Sequence, residues 1–141
     1  MSIKNKLFKE KVKNFILDQS KSAVVDETTI LKETLEKMIH FKIGIACVVN
    51  KKKNLIGVIT DGDLRRKLIK NQKPWSALLN DDAINHCKKK HLIIREGDTI
   101  EKAIKIIRKH KVWDLPVLDN KNKFKGIIHL QNILELIINK S

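Results

Sequence analysis

Apolar positions follow two periods along this chain, and the two periods alternate in the same order twice. Between Ile30 and His40, Leu31, Leu35, Met38 and Ile39 fall at i, i+4, i+7 and i+8, which predicts a helix with one face on a core. Ile45-Ala-Cys-Val-Val49 is short and apolar throughout, the pattern of a buried strand. Asn50-Lys-Lys-Lys-Asn54 reads as a polar turn, Leu55 to Ile59 as the return strand, and Asp63 to Lys70 as the start of a second helix. Ala23-Val-Val25 supplies a further short strand ahead of the first helix.

Sixty-nine positions later the order returns, and residues 22–70 lie over 91–139 without a gap. Val24-Val25 faces Ile93-Ile94, and Leu31, Leu35 and Met38 face Ile100, Ile104 and Ile107. Val48-Val49 faces Val117-Leu118, and Gly57-Val-Ile faces Gly126-Ile-Ile. Each copy reads strand, helix, strand, turn, strand, helix, so the chain is a tandem repeat of one α/β unit. The second copy's first strand is Leu92-Ile-Ile94. Its first helix opens at Asp98-Thr-Ile-Glu101, in the manner of a capping box with the acid three residues on.

Outside the copies, Ile3, Leu7, Val12, Phe15 and Ile16 make an apolar stripe at roughly helical spacing. It predicts a basic amphipathic helix that packs on the module or on a twin, with a membrane surface as the alternative. Pro74, between the copies, stops the preceding helix and can start a short new one. The resulting division is an N-terminal helix over 1–19, a first repeat over 20–72, a linker over 73–85 and a second repeat over 86–141.

A hydrophobic content of 42% is enough for a packed core. No run approaches the roughly 20 apolar residues that cross a bilayer, and the N-terminus lacks the apolar core of a signal peptide. Cys47 and Cys87 do not form a disulfide framework, so a reducing, cytoplasmic setting is expected. The formal charge of +14 points to an anionic partner: nucleic acid, a membrane surface or a small phosphate. Aromatic residues make up only 4%, and no basic stripe is interleaved with them, which argues against a nucleic-acid groove.

The chemistry concentrates at Gly57-Val-Ile-Thr60-Asp61-Gly62-Asp63-Leu64-Arg65-Arg66, a strand that stops and starts a helix. Thr60 offers a hydroxyl to a phosphate, and Asp63 offers two oxygens to the paired hydroxyls of a ribose. Gly62 lets backbone approach closely, and Arg66 with its basic neighbours can neutralise phosphate charge. The same Thr and Asp also suit a helix cap, and the two roles are compatible in part. In the second copy His129 stands for Thr60 and Asn132 for Asp63, so that site is degenerate or differently specific. Trp113, in place of Gly44, is expected to pack in the core or an interface, with closing the second pocket or stacking on a base as the alternatives. The spacing of Asp61 and Asp63, and of His86, Cys87 and His91, gives no reason to expect a metal.

A repeated β-α-β-β-α unit with Gly-hydrophobic-hydrophobic-Thr-x-x-Asp at its last strand–helix junction resembles the cystathionine β-synthase (CBS) domain pair. Asp114-Leu-Pro116-Val-Leu-Asp119 resembles that family's second strand. Within the family, the Gly57–Arg66 and Gly126–Leu134 stretches are most similar to the CBS tails of arabinose-5-phosphate isomerases or of sugar-nucleotide transferases. The resemblance implies an α/β (α+β) fold of two repeats packed as a pseudo-two-fold pair, plus the N-terminal helix. It implies a regulatory module, not an enzyme, since neither catalytic domain has room in the chain. The implied ligand is AMP, ADP, ATP or a cytidine-sugar nucleotide in the inter-repeat cleft, held by Thr60, Gly62, Asp63, Arg66, His129 and Asn132. A homodimer is implied too, with a sugar-phosphate isomerase or nucleotidyltransferase as the regulated partner. A basic nucleic-acid-binding protein is the alternative.

Overall fold

The computed structural model describes residues 2–140. A short helix α1 (Ile3–Lys9) leads through a 3-10 turn (Val12–Phe15) to strand β1 (Ala23–Val25), helix α2 (Leu31–Phe41), strands β2 (Ile45–Val49) and β3 (Leu55–Thr60), and helix α3 (Asp61–Lys70). Helix α4 (Trp75–Leu79) and a further 3-10 turn (Ala83–His86) then precede β4 (Ile94–Arg95), α5 (Ile100–His110), β5 (Asp114–Leu118), β6 (Phe124–His129) and α6 (Leu130–Lys140). Two three-stranded sheets result, ordered β1-β2-β3 and β4-β5-β6, each with one parallel and one antiparallel pair. The expected β-α-β-β-α repeat is therefore present in both copies.

Local details follow the chemistry of single residues. Pro74 caps the short helix α4. Asn50 and Asp119 close equivalent hairpins: the Asn50 carboxamide accepts from the Asn54 N–H, and the Asp119 carboxylate from the N–H groups of Lys121 and Lys123. Lys53 and Asn122 take the left-handed conformation each turn requires. Strand β4 begins at Ile94, not at Leu92 as the apolar run suggested. The pairing places Ile94 against Val117, so Ile93 would face Pro116, which has no N–H to give the ladder. Helix α5 is capped by Thr99, whose hydroxyl accepts from the Lys102 N–H, while Asp98 bonds backward to the Arg95 N–H. The capping position thus lies one residue beyond the expected one.

The described chain divides into two compact units that cut across the order of the sequence. One comprises Gln19 to His91; the other joins the residues up to Asp18 to those from Leu92 onward. The arm before each copy therefore belongs to the other copy's unit. In the first unit Ala83 donates to the Thr29 carbonyl, Leu31 donates to the Asp81 carbonyl, and Val58 and Lys88 exchange two bonds of 2.9 and 2.8 Å. In the second unit Val12 donates to the Asp98 carbonyl, Ile100 to the Glu10 carbonyl, and Leu17 to the Ile127 carbonyl. These are corresponding bonds. Each arm covers the outer side of β3 or β6, the third strand of its sheet, where unpaired N–H and C=O groups would otherwise face solvent.

This exchange divides the N-terminal stripe that was expected to be one helix over 1–19. Glu10 and Lys11 are extended, because the bonds that Glu10 accepts from Ile100 and the Lys11–Thr99 bridge need extended backbone. The stripe still packs on the module: Leu7, Val12 and Phe15 are buried with Ile100, Ile107 and Ile128. Burying three such side chains contributes on the order of 5 kcal/mol, as much as the net stability of many small domains. Leu7, Val12 and Phe15, which a membrane-bound helix would present to lipid, are inside the protein.

The glycines of the two Gly-hydrophobic-hydrophobic motifs serve the arms. A side chain at Gly57 would stand 2.7 Å from Cys87 Cβ and 2.9 Å from Ile84 Cδ1. One at Gly126 would collide with Ile16, and Gly126 also holds φ at +143°, a conformation closed to other residues. Gly57→Ala and Gly126→Ala should each lower stability by about 1–3 kcal/mol in urea unfolding. Gly97, with open space around it, should tolerate alanine within about 0.5 kcal/mol.

Candidate functional site

Strand β3 ends at Thr60, whose extended backbone turns the chain into helix α3. A capping box forms there. The Asp63 N–H donates to Thr60 Oγ1 at 3.2 Å, and the Thr60 N–H donates to Asp63 Oδ2 at 3.1 Å. The cap expected from Thr-x-x-Asp is thus real. It does not exhaust the pair, because the Thr60 hydroxyl carries a proton that a phosphate oxygen can accept.

The second oxygen of Asp63 faces two cations. Arg66 Nη2 lies 2.7 Å from Asp63 Oδ1, and Lys88 Nζ lies 2.9 Å from the same atom. The Asp63 side chain is 11% exposed, whereas those of Arg66 and Lys88 are 60% exposed. The carboxylate is therefore fixed and sheltered while the cations reach into water. Burial acts to raise the Asp63 carboxyl, but bonds from Lys88, Arg66 and Thr60 outweigh it and hold the group below its ordinary range. Gly62 adjoins the Arg66 guanidinium, and a side chain there would press on it at 3.3 Å.

Of the residues expected at the first site, Thr60, Gly62, Asp63 and Arg66 come together. Lys88 joins them although its place in the sequence gave no hint. Its position follows from the arm, since the Val58–Lys88 pairing sets the Lys88 ammonium beside the start of α3. Cys87, next to it, is a packing residue: burial, and then the charge of Asp63, push its thiol up to about 11, and Sγ donates to the Ala83 carbonyl.

The second copy builds the same junction with other chemistry. Nδ1 of His129 meets Oδ1 of Asp114 across the β5–β6 pair. Asn132 Nδ2 donates to the Phe15 carbonyl at 3.1 Å and so ties the arm down. Leu17 takes the place of Lys88 on the sheet edge, and Glu135 takes the place of Arg66. Trp113 is 66% exposed, so its indole is not a core group; its carbonyl accepts from the Leu130 N–H.

Comparison with known proteins places this geometry in a family. The CBS domain model matches residues 12–70 and 83–139, so each match begins with an exchanged arm. An uncharacterised protein of Helicobacter pylori strain J99 is 31% identical over 126 residues, 89% of this chain and 37% of its own length. The inosine-5'-monophosphate dehydrogenase of Aquifex aeolicus is 34% identical over 114 residues, 79% of this chain and 21% of the enzyme. The chain thus spans well under half the length of these relatives. Among solved structures, CBSX2 in complex with AMP superposes with a TM-score of 0.76 at 24% identity, covering 92% of this chain and 97% of that one. CbpB in complex with c-di-AMP gives 0.75 at 20%, covering 97% and 90%. The CBS pair of MJ0100, with 5'-methylthioadenosine and S-adenosyl-L-methionine, gives 0.70 at 18%, covering 94% and 98%.

One imidazole and one carboxylate give the stability a pH dependence of opposite sign at the two junctions. The bond to Asp114 raises the His129 imidazole above its ordinary value, against the opposing effect of burial. Its stabilisation is complete below the unfolded value of about 6.5 and is lost as pH rises through the folded one. The lowered carboxyl of Asp63 stabilises above about 3.9 and ceases to do so as pH falls through its folded value. Urea midpoints measured from pH 6 upward should fall in the wild type and stay flatter in His129→Gln. Asp63→Asn should flatten the acid limb alone.

Proposed function

This chain belongs to the CBS domain family, and we propose that it works as a regulatory module that binds an adenine nucleotide at the Thr60–Asp63 junction and alters a partner protein. The observation that supports this most is the sheltered Asp63 carboxylate beside the Thr60 hydroxyl, with Arg66 and Lys88 close by. In this reading Asp63 accepts from the ribose hydroxyls, Thr60 donates to the phosphate, and Gly62 keeps the approach open. His129 and Asn132 make their bonds inside the second unit, which favours the first junction as the main site. AMP and c-di-AMP in structures of the same fold make an adenine nucleotide the first ligand to try, ahead of a cytidine-sugar nucleotide.

Binding would shift the balance between conformations of the module, and the partner would sense the shift. The motif's likeness to the tails of arabinose-5-phosphate isomerases and sugar-nucleotide transferases suggests a partner in sugar-phosphate or cell-surface sugar metabolism. Ile69 and Ile138, equivalent positions on α3 and α6, are 85% and 69% exposed, and each offers its own unit an apolar contact for a second copy of the chain. No described helix is long and apolar enough to cross a membrane.

AMP, ADP and ATP at millimolar concentration should raise the melting temperature, and Asp63→Ala should abolish the rise while the protein remains folded by circular dichroism. A full nucleotide panel without any shift would overturn the reading.

A further inference from the structure

We propose that Lys88, carried to the site by the exchanged arm, acts with Arg66 as a charge filter that admits phosphate-bearing adenosine ligands and disfavours neutral or cationic ones. The proposal rests on the nucleotide-binding reading above and specifies the ligand class.

The reasoning starts from the capacity of one carboxylate. Its two oxygens offer about four lone-pair sites. At least three are taken: Oδ2 by the Thr60 N–H, and Oδ1 by Arg66 and by Lys88. A ribose diol brings two donors. It cannot bond fully to Asp63 until at least one of the two cations leaves.

The displaced cation then stands beside the ligand without its counter-ion. A ligand that carries a phosphate supplies a new one, in charge-assisted bonds of the same kind. A bare nucleoside supplies nothing, and a sulfonium nucleoside adds a like charge. Asp63, Arg66 and Lys88 together carry a net positive charge, so the electrostatic preference runs the same way.

The second copy indicates that the fold does not itself require this cluster. Its arm, strand edge and helix start meet in the same manner, with Leu17, Asn132 and Glu135 in the places of Lys88, Asp63 and Arg66. No cation stands at any of the three. An arm can be seated without an ion pair, so the lysine in the first copy calls for another explanation, and selection of an anion provides one.

The experiment is calorimetric titration of the full chain with AMP, adenosine, 5'-methylthioadenosine and S-adenosyl-L-methionine, repeated with Lys88→Gln and Lys88→Arg. In the wild type AMP should bind at least about tenfold more tightly than adenosine, a difference of about 1.4 kcal/mol. Lys88→Gln should shrink that ratio mainly by weakening AMP, and Lys88→Arg should keep it. Adenosine or S-adenosyl-L-methionine binding as tightly as AMP in the wild type would overturn the filter while leaving nucleoside recognition standing. An unchanged ratio in a folded Lys88→Gln protein would overturn the role of Lys88. Failure of all four ligands to bind would instead overturn the reading on which the filter rests.

Discussion

The outer strand of each sheet needs a neighbour, and the chain supplies it from a distance. Val58 and Lys88 exchange two backbone bonds on one sheet, and Leu17 donates to Ile127 on the other. Much else follows from these contacts. Gly57 and Gly126 must be glycine because an arm passes over them at van der Waals distance or closer. The N-terminal stripe must break after Lys9 because Glu10 and Lys11 have to be extended to meet α5. Leu7, Val12 and Phe15 become core residues of a copy that begins far down the chain.

The same constraint shapes the candidate site. Thr60 and Asp63 would cap α3 in any setting, since a capping box satisfies two N–H groups at a helix start that lack partners within the helix. What turns a cap into a charged site is the arm, which brings Lys88 within 2.9 Å of the Asp63 carboxylate. At the second junction the arm brings Leu17, and the polar groups turn inward: His129 to Asp114, Asn132 to Phe15. One scaffold, built twice, thus carries a cationic site in one copy and a tether in the other.

Much of this was legible in the sequence. Helix and strand periods located the repeat, and the Thr-x-x-Asp spacing located both the cap and the carboxylate. The arms were not legible because they recur at a different offset. The bodies of the copies lie sixty-nine positions apart, but Leu17 corresponds to Lys88, Val12 to Ala83 and Glu10 to Asp81, all seventy-one apart. A gapless comparison of the bodies stops before reaching them. Val12-Lys-Asn-Phe15 over Ala83-Ile-Asn-His86 keeps only one identity, and its signal is too short to stand out. Nothing local distinguishes Lys88 from its neighbours in Lys88-Lys-Lys90. The narrower likeness expected to isomerase and transferase tails rested on the Gly57–Arg66 and Gly126–Leu134 stretches, and at the first of them capping and recognition act on the same residues. Local spacing could find the junction but not rank the ligands it would hold.

The central claim is that one junction of the two binds a phosphate-bearing nucleotide. Amide NMR of the full chain during titration with AMP tests it most directly. The account predicts that the largest shifts fall on Thr60 to Asp63 and on Lys88, with His129 to Asn132 little changed. Shifts centred on His129 to Asn132, or equal at both junctions, would contradict it.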